Sequence, residues 1–253
     1  MKLSVIVITR DEERNIDACL QSVAWADERI VVDSGSTDRT LELAHAAGAT
    51  VVRTADWPGF GPQKNRALDA CSGDWILSLD ADERVDAALR AEIEATLRAP
   101  QFDVYEIPRR STYCGRFMRH GGWWPDYTRR LFRRGAARFS AARVHERLET
   151  DRAVGRLRAP LLHYSFRSME QVLDKMNRYS SESAAMIAAR GKAPGLASAV
   201  MHGAAAFLRT YVLRLGFLDG RRGFLLAVSN AEGSYYRYVK AMLAAEAQRD
   251  DPP

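Results

Sequence analysis

The residues Asp74-Trp75-Ile76-Leu77-Ser78-Leu79-Asp80-Ala81-Asp82 form an apolar run of strand length that ends in two carboxylates one residue apart. A run that is apolar on both faces reads as a strand covered by helices on each side, which is the pattern of a parallel sheet. In such sheets ligands bind in the crevice beyond the carboxyl ends of the strands. Two acids at that place can hold a hard divalent cation, and the cation can hold a diphosphate. A DxD taken alone is more often a solvated turn, so its meaning rests on the strands around it.

Toward the N-terminus the same pattern recurs. Leu3-Ser4-Val5-Ile6-Val7-Ile8-Thr9 is a second doubly apolar run and reads as a central parallel strand. Ile16, Leu20 and Val23 follow at helical spacing, with Asp11 or Asn15 as N-cap. Residues 29–32 are a strand, Leu41, Ala44 and Ala47 mark a helix that Gly48 closes as an αL cap, and residues 50–53 are a third strand. A helix is expected over 63–70 before the run at 75–79. The order βαβαβαβ predicts a parallel sheet with right-handed crossovers.

Acids cluster in the loops that leave these strands: Thr9-Arg10-Asp11-Glu12-Glu13, then Asp33-Ser34-Gly35-Ser36-Thr37-Asp38, then Asp80-Ala81-Asp82-Glu83. They converge on the ligand edge of the sheet. A strand-end carboxylate such as Asp33 can accept from a base N–H or from ribose hydroxyls, whereas Thr37 and Asp38 suit helix capping. Neither a GxGxxG nor a GxxxxGK[ST] phosphate loop is present, which argues against dinucleotide and P-loop chemistry. A bound nucleotide would then need a metal or basic side chains on its phosphates. Lys64, one of only five lysines, and Arg66 follow the Gly59-Phe60-Gly61 loop and are candidates.

These blocks, together with Gln63-Lys64-Asn65-Arg66-Ala67-Leu68, resemble the family 2 glycosyltransferases of GT-A fold over about the first 90 residues. The resemblance implies an α/β, Rossmann-like, mostly parallel sheet flanked by helices, here with a C-terminal helical extension. It divides the chain into a GT-A domain over 1–165, with a donor-nucleotide half at 1–100 and an acceptor half at 101–165, and an extension over 166–253. It also implies a nucleotide-sugar donor bound by Thr9, Glu12, Asp33, Lys64, Arg66 and Asp80. Asp82, with Asp80, would hold Mg²⁺ or Mn²⁺ on the diphosphate.

Further along, Val85, Leu89, Ile93 and Leu97 have the spacing of an amphipathic helix ending at Pro100, and residues 103–107 look like a strand. Gly121-Gly122-Trp123-Trp124-Pro125-Asp126 is a poor helix or strand and reads as a shaped loop. Aromatic faces there suit sugar rings, and the arginines of Arg129-Arg130-Leu131-Phe132-Arg133-Arg134 suit carboxylate or phosphate. Trp123, Trp124, Arg129 and His145 are therefore placed on the acceptor side. Inverting transfer needs a carboxylate base, and Glu146 and Asp126 are the two candidates. Relatives place the base in a Glu-Asp pair at about this distance after DxD, and His145-Glu146 is the nearest counterpart, which slightly favours Glu146. Trp-Trp-Pro-Asp, Arg-Leu-Phe-Arg-Arg and Val-His-Glu are similar to the subgroup containing lipopolysaccharide and lipooligosaccharide core β-1,4-glucosyltransferases.

Charge is unevenly spread. Residues 1–97 carry net −8, 98–158 net +9 and 159–253 net +4, so the first part and the rest have different jobs. Three scattered cysteines and the absence of a signal-peptide pattern at Met1 lead to the expectation of a reduced cytosolic chain without a disulfide framework. His120, His163 and His202 are isolated and read as structural. Residues 196–208 contain no Asp, Glu, Lys or Arg, but thirteen such residues fall short of the ~20 needed to span a bilayer. An apolar and Arg-flanked helical pair instead suits the membrane interface.

The expected activity is metal-dependent, inverting transfer of a sugar, best glucose, from a UDP-sugar to an anionic cell-envelope saccharide or glycolipid such as the lipopolysaccharide core. The enzyme is expected in the cytoplasm, peripheral on the inner face of the cytoplasmic membrane, with no nucleic-acid partner. A different polysaccharide or lipid-linked acceptor is the alternative. A nucleotidyltransferase is disfavoured because Thr9-Arg10-Asp11-Glu12 is opposite in charge to its basic, Gly-rich loop. A non-enzymatic Arg-rich membrane or nucleic-acid docking module is disfavoured by the acidic sheet edge.

Overall fold

A computed structural model of the chain describes residues 1–141, 146–191 and 193–250. They pack as two compact units, Met1–Arg109 with Asp126–His163, and Arg110–Pro125 with Tyr164–Pro253.

The first unit is built on β1 (Leu3–Thr9), β2 (Glu28–Asp33), β3 (Thr50–Arg53) and β4 (Trp75–Asp80). All their pairings are parallel, in the order β3-β2-β1-β4. The connecting helices are α1 (Ile16–Ser22), α2 (Thr40–Ala46) and α3 (Phe60–Ala70). All seven residues of β1 are buried, as its doubly apolar run requires. Its side chains alternate between two cores. Val5 and Val7 join Val31, Leu77, Leu20 and Ile93 on one face, while Ile6 and Ile8 join Ile30, Ile76, Ala67 and Phe132 on the other.

Beyond β4 the sheet turns antiparallel. β5 (Glu83–Val85) precedes α4 (Ala87–Arg98), and β6 (Val104–Tyr113), β7 (Arg116–Phe117), β8 (Asp126–Arg133), β9 (Arg138–Phe139), β10 (Leu148–Glu149), β11 (Val154–Arg156) and β12 (Leu161–His163) follow. The path runs β4-β8-β6-β12-β5, so β8 rather than β5 lies beside β4. Two helix starts differ from the sequence reading, and the strand expected over 103–107 runs on to Tyr113. Val85 is a strand residue opposite Leu161, and the helix starts two residues later because Asp86 caps it by accepting from Leu89 N at 2.9 Å. Helix α3 starts at Phe60, three residues early, directly after Gly59 at φ +116°. Asn15 is the N-cap of α1, although its side chain donates to Glu12 (2.7 Å) instead of capping, and Gly48 adopts φ +73° as expected.

The second unit contains α5 (Met169–Ala189), α6 (Leu196–Leu208) and α7 (Gly220–Asp250). A small core of Tyr113, Met118, Val172 and Leu226 gathers Trp123 and Phe166 around it. Helix α6 packs on α7 at Gly203, where a Cβ would sit 3.3 Å from both the Ala231 carbonyl oxygen and Tyr235 Cβ. Its helical path continues as a π-turn through Arg209–Leu213. The resulting segment Leu196–Leu213, with mean hydropathy 1.3, is long and apolar enough to cross a membrane by length and composition, and 22% of it is buried. That is five residues longer than the uncharged run read from sequence, because one arginine does not end the helix.

Candidate active site

Strand register sets the site. Thr9 lies opposite Asp33 and Ile8 opposite Asp80, so the carboxyl ends of β1, β2 and β4 share one edge. Asp33 is fully buried, and its carboxylate accepts from the amides of Gly35 (3.0 Å) and Ser36 (3.1 Å) and from the Ser36 hydroxyl. It thereby folds its own loop, in which Gly35 takes φ +86°. The two acidic loops are tied together: Asp11 accepts from Thr37 N (2.8 Å), and Glu12 N donates to Thr40 Oγ1 (2.7 Å). Asp38, expected as a capping residue, lies one position before the N-cap Arg39 of α2, which has no side-chain cap, and accepts from Thr40 N at 3.0 Å.

The centre is a chain of alternating charge. Lys64 on α3 is 3% exposed, and its Nζ lies 2.9 Å from Asp80 Oδ1 and 2.8 Å from Glu146 Oε1. The second oxygen of Asp80 accepts from Arg130 at 2.6 Å, and the same guanidinium meets the fully buried Glu83 at 2.6 Å. Arg109 stands 3.7 Å from Glu83 and grips Asp126 through Nε (3.0 Å) and NH2 (2.7 Å). Glu146, Lys64, Asp80, Arg130, Glu83, Arg109 and Asp126 thus form one sequence of ion pairs, with the two candidate bases at its ends. Burial works against the Asp80 carboxylate, but Arg130 and Lys64 outweigh it and hold the group well below the usual carboxylate range. For Glu83 burial prevails over the Arg130 attraction and pushes the carboxyl up. The Cys19 thiol packs 3.6 Å from the Asp80 carbonyl, and burial pushes it up to about 12, so it stays protonated and chemically quiet.

Glu146 reaches this chain because α3 approaches its segment closely. A Cβ on Gly61 would overlap the Ser140 carbonyl oxygen and lie 3.4 Å from Glu146 Cβ. Asn65 adds a two-way bond to β9, donating to Phe139 O (2.9 Å) and accepting from Phe139 N (3.0 Å).

Beside the chain, His163 Nε2 lies 3.2 Å from Asp82 Oδ2, with side chains 14% and 26% exposed. His163, read from sequence as isolated, is therefore adjacent to the second acid of the DxD. Among the described residues no three His, Cys, Asp or Glu side chains gather into a metal cage. The pair Asp82 and His163 nevertheless offers an oxygen and a nitrogen donor, which fits a cation that completes its shell with substrate phosphates and water. Asp80 has both oxygens ion-paired, to Lys64 and to Arg130.

Other expected site residues have local partners. Arg66 forms a fork with Asp56 at 2.8 and 2.9 Å, and Arg129 donates to Leu148 O at 2.8 Å. In the second unit Trp123 packs edge-on against Tyr113 with ring centroids 5.7 Å apart, and Trp124 is half-buried. His120 and His202 make structural contacts, with Asp219 at 3.0 Å and with the Tyr238 ring at 4.0 Å. His145 lies outside the described residues.

Glu83, Arg109, Arg130 and His163 carry the site but were not among the candidate site residues: Glu83 and Arg130 were read only as members of an acidic loop and an arginine run, and His163 as structural. Arg130 had a hidden signal. Leu131 pairs with Tyr105 and Arg129 with Glu106, so Arg130 is the extra residue of a β-bulge and turns inward where strict alternation would not place it.

The sheet and its flanking helices are those of GT-A glycosyltransferases. S. aureus TarS 1-349, solved in complex with UDP-GlcNAc, shares the fold with a TM-score of 0.52 at 16% identity, over 98% of this chain and 92% of that one. Residues 4–146 match Glycosyl transferase family 2, and the chain belongs to that family. The lipopolysaccharide core biosynthesis glycosyltransferase LpsC of Rhizobium meliloti (strain 1021) is 32% identical over 253 residues, covering 95% of this chain and 91% of the relative. An uncharacterized glycosyltransferase of Rickettsia bellii (strain RML369-C) is 31% identical over 94% of this chain and 85% of its own. The protein is thus an enzyme, a glycosyltransferase, and not a non-catalytic docking module.

Proposed function

We propose that the enzyme moves glucose from a UDP-sugar, with inversion, onto an anionic cell-envelope saccharide such as the lipopolysaccharide core. The convergence of Lys64 on both Asp80 and Glu146 carries this reading, because it joins the donor-side acid and a base candidate through one cation. The donor class accords with TarS, which was solved with UDP-GlcNAc, and the acceptor with LpsC, which is named for lipopolysaccharide core biosynthesis.

In this reading Thr9, Glu12 and Asp33 face the nucleoside, with Asp33 pre-shaped by its own loop. Lys64 supplies positive charge to the diphosphate, and Arg66, two residues on in the same helix and paired with Asp56, is the second donor-side cation. Asp80 orients Lys64 and contacts the ribose or sugar, held ionised by Arg130. Asp82 and His163, with Asp80 behind them, would hold Mg²⁺ or Mn²⁺, which when bound neutralises the charge that develops on the leaving nucleoside diphosphate. Glu146 takes the proton from the attacking acceptor hydroxyl as the new glycosidic bond forms and the bond to the diphosphate breaks. We favour it over Asp126, whose carboxylate is clamped by two arginine nitrogens. Trp123, Trp124, Arg129 and His145 are assigned to the acceptor side.

Exposed Leu196, Val200, Met201, Leu208 and Leu213 on the α6 segment support work at a membrane surface, on the inner face of the cytoplasmic membrane. A hydrolysis screen of nucleotide sugars with Mg²⁺ and Mn²⁺, without acceptor, tests the donor assignment. UDP-glucose is expected to be cleaved fastest; faster cleavage of a donor with a different nucleotide would refute it.

A further inference from the structure

Within the second unit, Arg110, Arg116, Arg119 and Arg222 line one cavity of about 710 Å³, together with Phe117, Leu218 and the start of α7. Among the described residues none of the four guanidinium groups has a carboxylate partner. The one acid in the wall, Asp219, is committed: it accepts from the amides of Arg119 (3.1 Å) and His120 (2.8 Å) and contacts His120 Nδ1 (3.0 Å). Arg110 is half-buried, its guanidinium carbon lies 5.1 Å from the Phe117 ring centroid, and its Nε is buried without a hydrogen-bond partner. Helix α7 runs 31 residues from Gly220, which lies in the cavity wall, so the positive end of its dipole is there, although the Gly220 amide itself donates to the Phe217 carbonyl.

Four arginines without carboxylate partners around one concave space, with the Arg110 Nε buried among them, make a strongly positive site that suits an anion. Arginine forks match carboxylate and phosphate alike, but one carboxylate charge leaves most of this field unanswered. A phosphomonoester brings nearly two charges and three acceptor oxygens. The volume exceeds that of a phosphate ion and admits a phosphorylated sugar ring. Leu218 in the cavity wall is 56% exposed, and Leu215 and Phe217 just before it in the chain are 47% and 45% exposed, which suits an anion carried by an amphiphile.

We infer that this cavity binds a phosphomonoester group, presented by a phosphorylated saccharide or by a lipid headgroup. That the phosphate belongs to the acceptor rests on the function proposed above; the phosphate site itself does not.

The test uses the full chain and two probes: glucose 6-phosphate by titration calorimetry, with glucose as the uncharged control, and phosphatidylcholine vesicles carrying phosphatidic acid by flotation. Arg116 and Arg119 are exposed, so the double variant Arg116→Gln/Arg119→Gln removes two cations without opening the core. At about tenfold per charge-assisted contact, it is expected to weaken glucose 6-phosphate binding roughly a hundredfold. Arg221→Gln, which removes one charge outside the cavity, is compared with Arg116→Gln alone as the control for net charge. Loss of vesicle flotation in the double variant, with no glucose 6-phosphate binding by the wild type, assigns the site to a lipid-borne phosphate. Binding of both probes that the double variant leaves intact, or that Arg221→Gln weakens as strongly as Arg116→Gln does, overturns the site. Intact phosphate binding with no transfer to any phosphorylated saccharide overturns the acceptor reading alone.

Discussion

Replacing Arg130 by methionine removes the central cation of the buried chain while keeping much of its length. Arg130 is 5% exposed and makes two contacts of 2.6 Å, one to Asp80 and one to Glu83. Removing one partner of a buried ion pair typically costs about 3–5 kcal/mol, because a charge is left uncompensated in a poorly solvated place. Lys64 remains on Asp80 and Arg109 stays near Glu83, so the lower end, about 3 kcal/mol, is expected. For a chain of this size that is a fall in melting temperature of roughly 6–12 °C in calorimetry or circular dichroism at neutral pH. The pH dependence has a definite sign. Asp80 has a folded pKa below its ordinary 3.8, so its stabilisation is present above that value and disappears as pH falls through the folded pKa. The gap between wild type and variant should therefore be widest at neutral pH and should narrow in acid. A variant within 2 °C of wild type at neutral pH, on the scale of roughly 2–4 °C per kcal/mol, would refute the argument. So would a gap that widens on acidification.

Gly61→Ala should displace the segment at Ser140 and pull Glu146 from Lys64, with a loss of about 1–3 kcal/mol from overpacking and a marked fall in turnover; urea titration and an activity assay measure both. Glu146→Gln should lower kcat by roughly 10²–10⁴ at little cost in KM, as loss of a general base does, whereas Asp126→Asn should fall less. Steady-state kinetics that reverse this order would transfer the base role to Asp126. His163→Ala should raise the Mn²⁺ concentration needed for half-maximal activity by about 10- to 100-fold with the fold retained, read by metal titration and circular dichroism.

The parallel half of the sheet was legible because β1 and β4 are apolar on both faces and the loops leaving β1, β2 and β4 are acidic, so local pattern and global topology agree. The return path was not. β8 enters beside β4 from far along the chain, and periodicity says nothing about which distant strand pairs with which. Asp80 and Asp82 stood out from sequence because both acids adjoin an unmistakable strand. Their partners did not: Arg130 is turned inward by a bulge, Glu83 is buried by β12, and His163 meets Asp82 through the pairing of β5 with β12. Charged residues reveal a site from sequence when they are out of place in their own element. Arg130, Glu83 and His163 look ordinary until the sheet is assembled.

The central claim is that the end of β4 holds the donor diphosphate through a cation on Asp82. The direct measurement is UDP-glucose hydrolysis against Mn²⁺ concentration for wild type and Asp82→Asn, each with an EDTA control. The account predicts saturable Mn²⁺ dependence in the wild type, silence in EDTA and a loss of roughly 10²-fold or more in the variant, the scale on which one electrostatic stabiliser acts. Equal hydrolysis by both proteins in EDTA would contradict it.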